Sequence, residues 1–102
     1  MSRRKYSIRF LQVAEDDLAE TITYIAADRP LAAEALATKI EKNIRLLSDN
    51  PHFGQIPKEE ELAKLSYRFL VVENYLIFYI IERQTIYTHR ILHGARDYLS
   101  LL

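Results

Sequence analysis

The side chains best suited to chemistry gather in the last part of the chain, which ends HRILHGARDYLSLL (residues 89–102). They combine cations, histidines, a carboxylate and a phenol: Lys64, Arg68, His89, Arg90, His93, Arg96, Asp97 and Tyr98. Arginine and histidine beside a sheet edge can hold a phosphate and transfer a proton, as acid–base cleavage of RNA requires. If the protein is a nuclease, its catalytic residues are therefore expected to be Arg68, His93, Arg96 and Tyr98.

Several of these residues also have a structural interpretation. Arg90 lies within an apolar strand pattern, where its charge needs a partner such as Asp16, Asp17 or Asp97. Asp97 can alternatively cap a helical turn in the tail. Gly94 releases the chain from its last strand. We therefore predict that Arg90 and Asp97 are structural polar residues more than catalytic ones.

The sequence predicts neither a metal nor a cofactor. His89 and His93 are four residues apart in a strand pattern, which places them on one face. No third ligand is evident beside them, and the chain contains no cysteine, so thiolate catalysis and thiolate metal sites are excluded. Two strand histidines of this kind are more often structural than metal ligands.

Length and composition predict one domain over residues 1–102, with 49% apolar residues available for its core. The chain has 14 basic and 14 acidic residues, so no overall charge points to nucleic acid or to a basic partner. No apolar segment follows the basic N-terminus MSRRKYSIRF, and no run of about 18 apolar residues occurs. We expect a soluble, cytoplasmic protein that does not associate with membranes.

The first half of the chain changes from strand to helix periodicity. Residues 5–11 (KYSIRFL) alternate and predict a half-buried strand. Apolar residues then recur at helical spacing from Val13 to about Asp28. A second helix is predicted to begin at Pro30, which suits the first helical position, and to end before Pro51. The short connection between them predicts an antiparallel helical hairpin.

The second half is predicted to form a loop with one helical turn (residues 51–64), followed by three strands. The strands are SYRFLVVE, YLIFYIIE and TIYTHRILH, and tight turns are expected at Glu73-Asn74 and Arg83-Gln84, with Asn74 tolerant of a positive φ. The middle stretch is apolar on both faces, as in a strand that is covered on both sides.

The expected architecture is therefore α+β: an N-terminal strand, an antiparallel helical hairpin and a three-stranded antiparallel meander. The tail is expected to add a helical turn, with Tyr98, Leu99 and Leu102 closing the end of the core. Because the hairpin can cover only one sheet face, we predict that an amphipathic helix or strand from a protein partner covers the other.

The segment YLIFYIIERQTIYTHRILHGARDY (residues 75–98) resembles the C-terminal signature of the RelE/ParE superfamily, the toxins of type II toxin–antitoxin modules. The likeness extends to the opening strand, to AEDDLAETITYIA, and to IRLLSDNPHFGQ, which is similar to the family's helix end and Pro-x-x-Gly loop. This resemblance implies the RelE/ParE toxin fold, a cognate antitoxin as partner, and a hetero-oligomer with it.

The superfamily divides by target: RelE-like members cut mRNA in the ribosomal A site, whereas ParE-like members act on DNA gyrase. The RelE-like site uses an arginine after the tyrosine that opens the central strand, another after the glycine that follows the last strand, and a tyrosine near the C-terminus. In this sequence those positions fall at Leu76, at Arg96 and near Leu102. One of the three is present, with His93 and Tyr98 as the available substitutes, and this favours the ParE-like branch.

Three functional hypotheses follow from the resemblance. The first is a toxin of a plasmid-stabilisation-like system that inhibits growth by binding an essential target such as DNA gyrase. The second is a ribosome-dependent mRNA endonuclease, or mRNA interferase, and the third an inactive toxin that binds its antitoxin as a co-repressor. A nuclease should bring Arg68, His93, Arg96 and Tyr98 together in one solvent-open concavity, whereas a binding toxin can leave them dispersed.

Overall fold

The computed structural model describes residues 5–94 and 98–102. Its elements, in chain order, are β1 (Ser7–Phe10), α1 (Gln12–Ala26), α2 (Pro30–Leu46), α3 (Glu60–Lys64), β2 (Tyr67–Val72), β3 (Tyr75–Glu82), β4 (Thr85–His93) and a 3-10 turn at Tyr98–Ser100. The predicted α+β order of strand, two helices and three strands is therefore confirmed. Pro30 begins α2, where its missing N–H leaves no intrahelical hydrogen bond unmade.

The four strands form one sheet in the order β1-β4-β3-β2. The β2–β3 and β3–β4 pairs are antiparallel, as the predicted meander requires, whereas β1 runs parallel to β4. The segment between β1 and β4, which contains the helices and the β2–β3 hairpin, is the long connection that a parallel strand pair needs. This arrangement leaves β1 at one edge of the sheet and β2 at the other.

The main core lies between the helical hairpin and one face of the sheet, which we call the helix face. Four apolar residues of α2 and its end are at most 8% exposed in this layer: Leu36, Ile40, Ile44 and Leu47. They pack against buried strand residues that include Ile77, Tyr79, Ile86 and Ile91. Complete burial of one such side chain stabilises a fold by about 1.5–3 kcal/mol, so this layer is the main driving force for folding.

The opposite face of the sheet, which we call the tail face, carries a second and smaller core. Leu62 of α3 packs there with Tyr67, Phe78 and Leu92. Three residues of the C-terminal tail pack against the same cluster: Tyr98, Leu101 and Leu102. The expectation that the hairpin leaves this whole face to a partner is therefore wrong in part, because α3 and the tail cover much of it. Leu99, which was expected in the core, is 41% exposed.

A β-bulge in β4 changes which face its side chains occupy. Phe78 pairs with Arg90 but the next residue, Tyr79, pairs with Thr88, so His89 is the extra residue on β4. His89 consequently lies on the tail face, and His93 lies opposite Tyr75 on the helix face. The prediction that the two histidines share one face is wrong, because one inserted residue reverses the alternation.

The two strand connections are tight turns at the predicted positions. The left-handed backbone conformation falls on the first residue of each turn, with φ of 57° at both Glu73 and Arg83. Asn74, which was expected to take the positive φ, does not have one. Among the described residues, no helix has the length and apolar character needed to cross a bilayer.

Candidate functional site: polar clusters and an open groove

The most buried charged pair in the described chain joins Arg90 of β4 to Asp17 of α1. Arg90 Nε donates to Asp17 Oδ2 at 2.7 Å and an Nη donates to Oδ1 at 2.8 Å, which makes the pair bidentate. The side chains are 17% and 10% exposed. The hydrogen bond to Asp17 raises the pKa of Arg90, so the guanidinium stays charged at any physiological pH.

The same pair closes the edge of β4 beyond the end of β1. The backbone N–H of Ile91 donates to Asp17 Oδ2 at 3.0 Å, in place of a strand partner. The other Nη of Arg90 donates to the carbonyl oxygen of Leu101 at 2.8 Å. Arg90 therefore links the first helix, the last strand and the C-terminal tail. Of the three carboxylates that the sequence offered as partners, the structure pairs Arg90 with Asp17, while Asp16 accepts a hydrogen bond from Gln12.

Arg68 lies on β2 and holds the loop that follows α2. Its Nη1 donates to the carbonyl oxygen of Gly54 at 3.0 Å and to that of His52 at 3.4 Å. Two backbone hydrogen bonds between Gln55 and Phe69 fix the same loop to the outer edge of β2. Nη1 of Arg68 is thus hydrogen-bonded to the loop. The side chain also lines a polar depression together with Ser66.

The loop is also anchored from the core by Tyr79, which is fully buried. Its hydroxyl donates to the carbonyl oxygen of Pro51 at 2.8 Å and accepts from the N–H of Gly54 at 2.9 Å. Burial raises the pKa of Tyr79, so the hydroxyl remains a donor. Sequence reasoning missed this residue because an aromatic residue in a central apolar strand indicates only core. The available signal was the Pro-x-x-Gly spacing of the loop that it holds.

His93 and Tyr98, the other described catalytic candidates, have different surroundings. The ring of His93 makes an edge contact with Tyr75 on the helix face, with centroids 5.2 Å apart. Tyr98 stacks at a tilt on Phe78 on the tail face, and its hydroxyl donates to Glu59 Oε2 at 2.6 Å. That hydrogen bond raises the pKa of Tyr98 and lowers the pKa of Glu59.

The structure does not bring the described catalytic candidates together. Arg68 and His93 share the helix face, but Arg68 lies beside Tyr79 and His93 lies beside Tyr75, four residues away on β3. The two side chains line separate depressions. Tyr98 lies on the opposite face. Arg96 and Asp97, the remaining predicted site residues, lie outside the described residues. No group of three or more His, Asp or Glu side chains in the described parts is arranged to hold a metal ion.

His89 forms a further polar contact that sequence reasoning did not assign. Its Nδ1 lies 3.1 Å from the hydroxyl of Tyr67, and the two rings meet edge to face. Burial lowers the pKa of His89 and raises that of Tyr67, so both groups are neutral near pH 7. The pair sits over the bulge on the tail face and is a structural hydrogen bond between β2 and β4.

An open groove runs beside β1, where the sheet meets the helical hairpin. It has a volume of about 350 Å³ and an apolar floor of Ile8, Phe10, Leu18 and Ile44. Its rim is charged, with Glu15 on one side and the exposed pair Glu41–Arg45 on the other. The groove therefore places apolar side chains next to the unpaired edge of β1.

The backbone of β1 explains why that edge is open. The N–H groups of Ser7 and Leu11 donate to β4 and its preceding turn, so the amides of the intervening even-numbered residues point outward. Just before β1, the N–H of Tyr6 donates to the carbonyl oxygen of Ser48, and the Ser48 hydroxyl donates to the carbonyl oxygen of Tyr6. These two hydrogen bonds close the N-terminal end of the open edge. Ile8 and Phe10 therefore present outward N–H and C=O groups beside the groove, an arrangement that accepts a further strand.

Comparisons with known proteins give consistent matches. The family described as ParE toxin of type II toxin–antitoxin system, parDE, matches residues 8–98. A chain in the chromosomal ParDE toxin–antitoxin system of P. aeruginosa has the same fold, with a TM-score of 0.72 and 17% identity over 87% of this chain and 96% of that one. A chain in the RelBE2 toxin–antitoxin complex of Mycobacterium tuberculosis gives a TM-score of 0.61 and 21% identity over 93% and 98%. No curated protein sequence gives a significant match.

Proposed function

Because the chain belongs to the family of ParE toxins of type II toxin–antitoxin systems, we propose that it inhibits growth by binding an essential target such as DNA gyrase, without cutting RNA, and that a cognate antitoxin neutralises it. The observation that carries this proposal is the separation of Arg68, His93 and Tyr98 on two faces of the sheet. Binding requires surface complementarity alone, whereas RNA cleavage requires these groups to converge on one phosphate.

The hydrogen bonds of the candidate residues support the same conclusion. Arg68 donates to loop carbonyls and Tyr98 donates to Glu59, so each group has a structural partner. Leu76, at the position where the resemblance places a catalytic arginine, packs against the small core on the tail face. An apolar side chain there cannot stabilise the negative charge that develops on a cleaved phosphate.

We further propose that the antitoxin binds in the groove beside β1. The open edge at Ile8 and Phe10 offers hydrogen bonds to an extended segment, and the apolar floor accepts its side chains. This location differs from the sheet face that the sequence suggested, because the tail and α3 cover much of that face. The charged rim matches a segment that alternates apolar and charged residues.

A bulky substitution on the rim tests the groove without disturbing the core. Glu41→Trp places a large ring in the groove from an exposed position, and we expect the dissociation constant for the antitoxin to rise at least about tenfold, or about 1.4 kcal/mol. Glu34→Trp lies on the same helix outside the groove and serves as the matched control. Equal affinities of both variants and the unmodified protein, measured by calorimetry, would place the antitoxin elsewhere.

Induction of the toxin alone in cells tests the mode of action. The proposal predicts growth arrest in which a DNA-damage reporter rises before protein synthesis falls. An early loss of protein synthesis with intact DNA would instead support the mRNA endonuclease. Normal growth with an expressed, folded protein would support the co-repressor that only binds its antitoxin.

A further inference from the structure

A second depression, separate from the groove beside β1, lies between α1 and the far ends of β3 and β4. Glu20 and Tyr24 line it from the helix, while Tyr75 and His93 line it from the strands. Its volume is about 400 Å³, which exceeds the volume of any single amino-acid side chain. We call it the α1 pocket. Of the described catalytic candidates only His93 lines it, and it shares no lining residue with the groove proposed for the antitoxin.

The charge of the α1 pocket is carried by one carboxylate. Asp17 also lines it, but its oxygens already accept hydrogen bonds from Arg90 and from the backbone of Ile91. Glu20, one turn further along the helix, makes no hydrogen bond or ion pair with any residue that the structure describes. Glu20 therefore offers both of its oxygens to a ligand in the pocket, and a ligand with positive charge is the one that it stabilises.

Aromatic rings form the walls around that carboxylate. Tyr75 and His93 meet edge to face with ring centroids 5.2 Å apart and an interplanar angle of 85°. Tyr24 lines the same depression and is 83% exposed, so its ring is accessible to a ligand in the pocket. Tyrosine rings attract cations over their faces, and the planar guanidinium of arginine stacks on them better than the ammonium of lysine does.

We propose that the α1 pocket binds an arginine side chain of the antitoxin, with its guanidinium paired to Glu20 and stacked between Tyr24 and Tyr75. This inference rests on the proposed function, because it takes the antitoxin as the partner. The geometry supports the antitoxin as the partner, because α1 borders both sites. Glu20 and Tyr24 of this helix line the α1 pocket, and Leu18 lines the groove beside β1. A helix is about 10 Å across, so three or four extended residues of one segment reach from one site to the other.

A small-molecule titration tests the pocket without the antitoxin. The probes are N-acetylarginine amide and its uncharged isostere N-acetylcitrulline amide, followed by NMR of the ¹⁵N-labelled full chain. We expect saturable shifts at the amides of Glu20, Tyr24 and His93 with the arginine probe, and none with citrulline. Glu20→Gln should abolish these shifts, whereas Glu34→Gln, an exposed carboxylate on α2, should leave them unchanged. Equal shifts with both probes would overturn the proposal.

The same variants then test the identity of the partner by calorimetry with purified antitoxin. Glu20→Gln should weaken the complex by about fivefold or more, and Glu34→Gln should not. If the unmodified protein binds no antitoxin at all, the proposed function fails, although the probe result stands. If the antitoxin binds tightly but ignores Glu20→Gln, the pocket serves another partner and this inference is overturned.

Discussion

Gly54 and Tyr79 meet so closely that the loop after α2 has room for no side chain at position 54. The N–H of Gly54 donates to the Tyr79 hydroxyl at 2.9 Å. A Cβ atom at position 54 would lie 2.5 Å from that oxygen and 2.9 Å from the carbonyl oxygen of Phe69. Since Gly54 has no positive φ, close approach rather than backbone conformation requires the glycine. The Pro-x-x-Gly spacing thus encodes an attachment of the loop to the core.

Substitutions at this contact should destabilise the protein in a coupled way. Gly54→Ala should lower the free energy of unfolding by about 1–3 kcal/mol through overpacking. Tyr79→Phe should lower it by about 1–3 kcal/mol, because the N–H of Gly54 loses its acceptor. Urea denaturation of both single variants and the double variant measures the coupling. The double variant should be less unstable than the sum, and strict additivity would show that the two residues do not interact.

Breaking the Arg90–Asp17 pair should have a large effect on stability. Both side chains are mostly buried, so Arg90→Ala leaves the carboxylate of Asp17 without its charge partner and should cost about 3–5 kcal/mol. The exposed pair of Arg45 and Glu41 is the control, and Arg45→Ala should change stability by less than about 1 kcal/mol. A melting temperature that Arg90→Ala leaves unchanged would contradict a structural role for this residue.

Thr88 offers a stabilising substitution. It is fully buried, and its hydroxyl oxygen has no hydrogen-bond partner in the described structure. Thr88→Val keeps the shape of the side chain and removes an unsatisfied polar group, so the free energy of unfolding should rise by about 1 kcal/mol. Thr38→Val on the exposed surface of α2 should have little effect. A loss of stability in Thr88→Val would indicate that the hydroxyl has a bound water or another partner.

His89 should make the protein less stable as the pH falls. Burial lowers its pKa from the ordinary value of 6.5 in the folded state. Between the two pKa values the unfolded chain binds a proton that the folded chain does not, so the free energy of unfolding decreases as the pH falls below about 6.5. His89→Gln should flatten this slope in melting curves between pH 5 and 8. Identical slopes in the variant and the unmodified protein would refute the assignment.

The periodicity of the sequence was sufficient to predict the helices, the strands and their order. It was not sufficient to predict contacts between distant segments. The pairing of β1 with β4 and the cover that the tail provides depend on tertiary packing, which local patterns do not encode. Asp16 and Asp17 are neighbours, yet their side chains point about 100° apart on α1, so only the packed structure selects the partner of Arg90.

The bulge at His89 shows the same limit for the candidate site. An alternating strand pattern places His89 and His93 together, and a single extra residue separates them onto two faces. The α1 pocket was also missed, because the spacing of Glu20 and Tyr24 indicates only one side of an amphipathic helix. Their relation to Tyr75 and His93 exists only after the sheet has formed.

Cleavage of mRNA on programmed ribosomes distinguishes a toxin that only binds its target from a nuclease most directly. Purified protein should be incubated with ribosomes that hold a defined codon in the A site, and the mRNA ends mapped by primer extension. The dispersed positions of Arg68, His93 and Tyr98 predict that no cut appears at the A-site codon, while a known ribosome-dependent nuclease cuts in parallel. Codon-positioned cuts that vanish in Arg96→Ala would establish the protein as an mRNA endonuclease and overturn the binding mode of action.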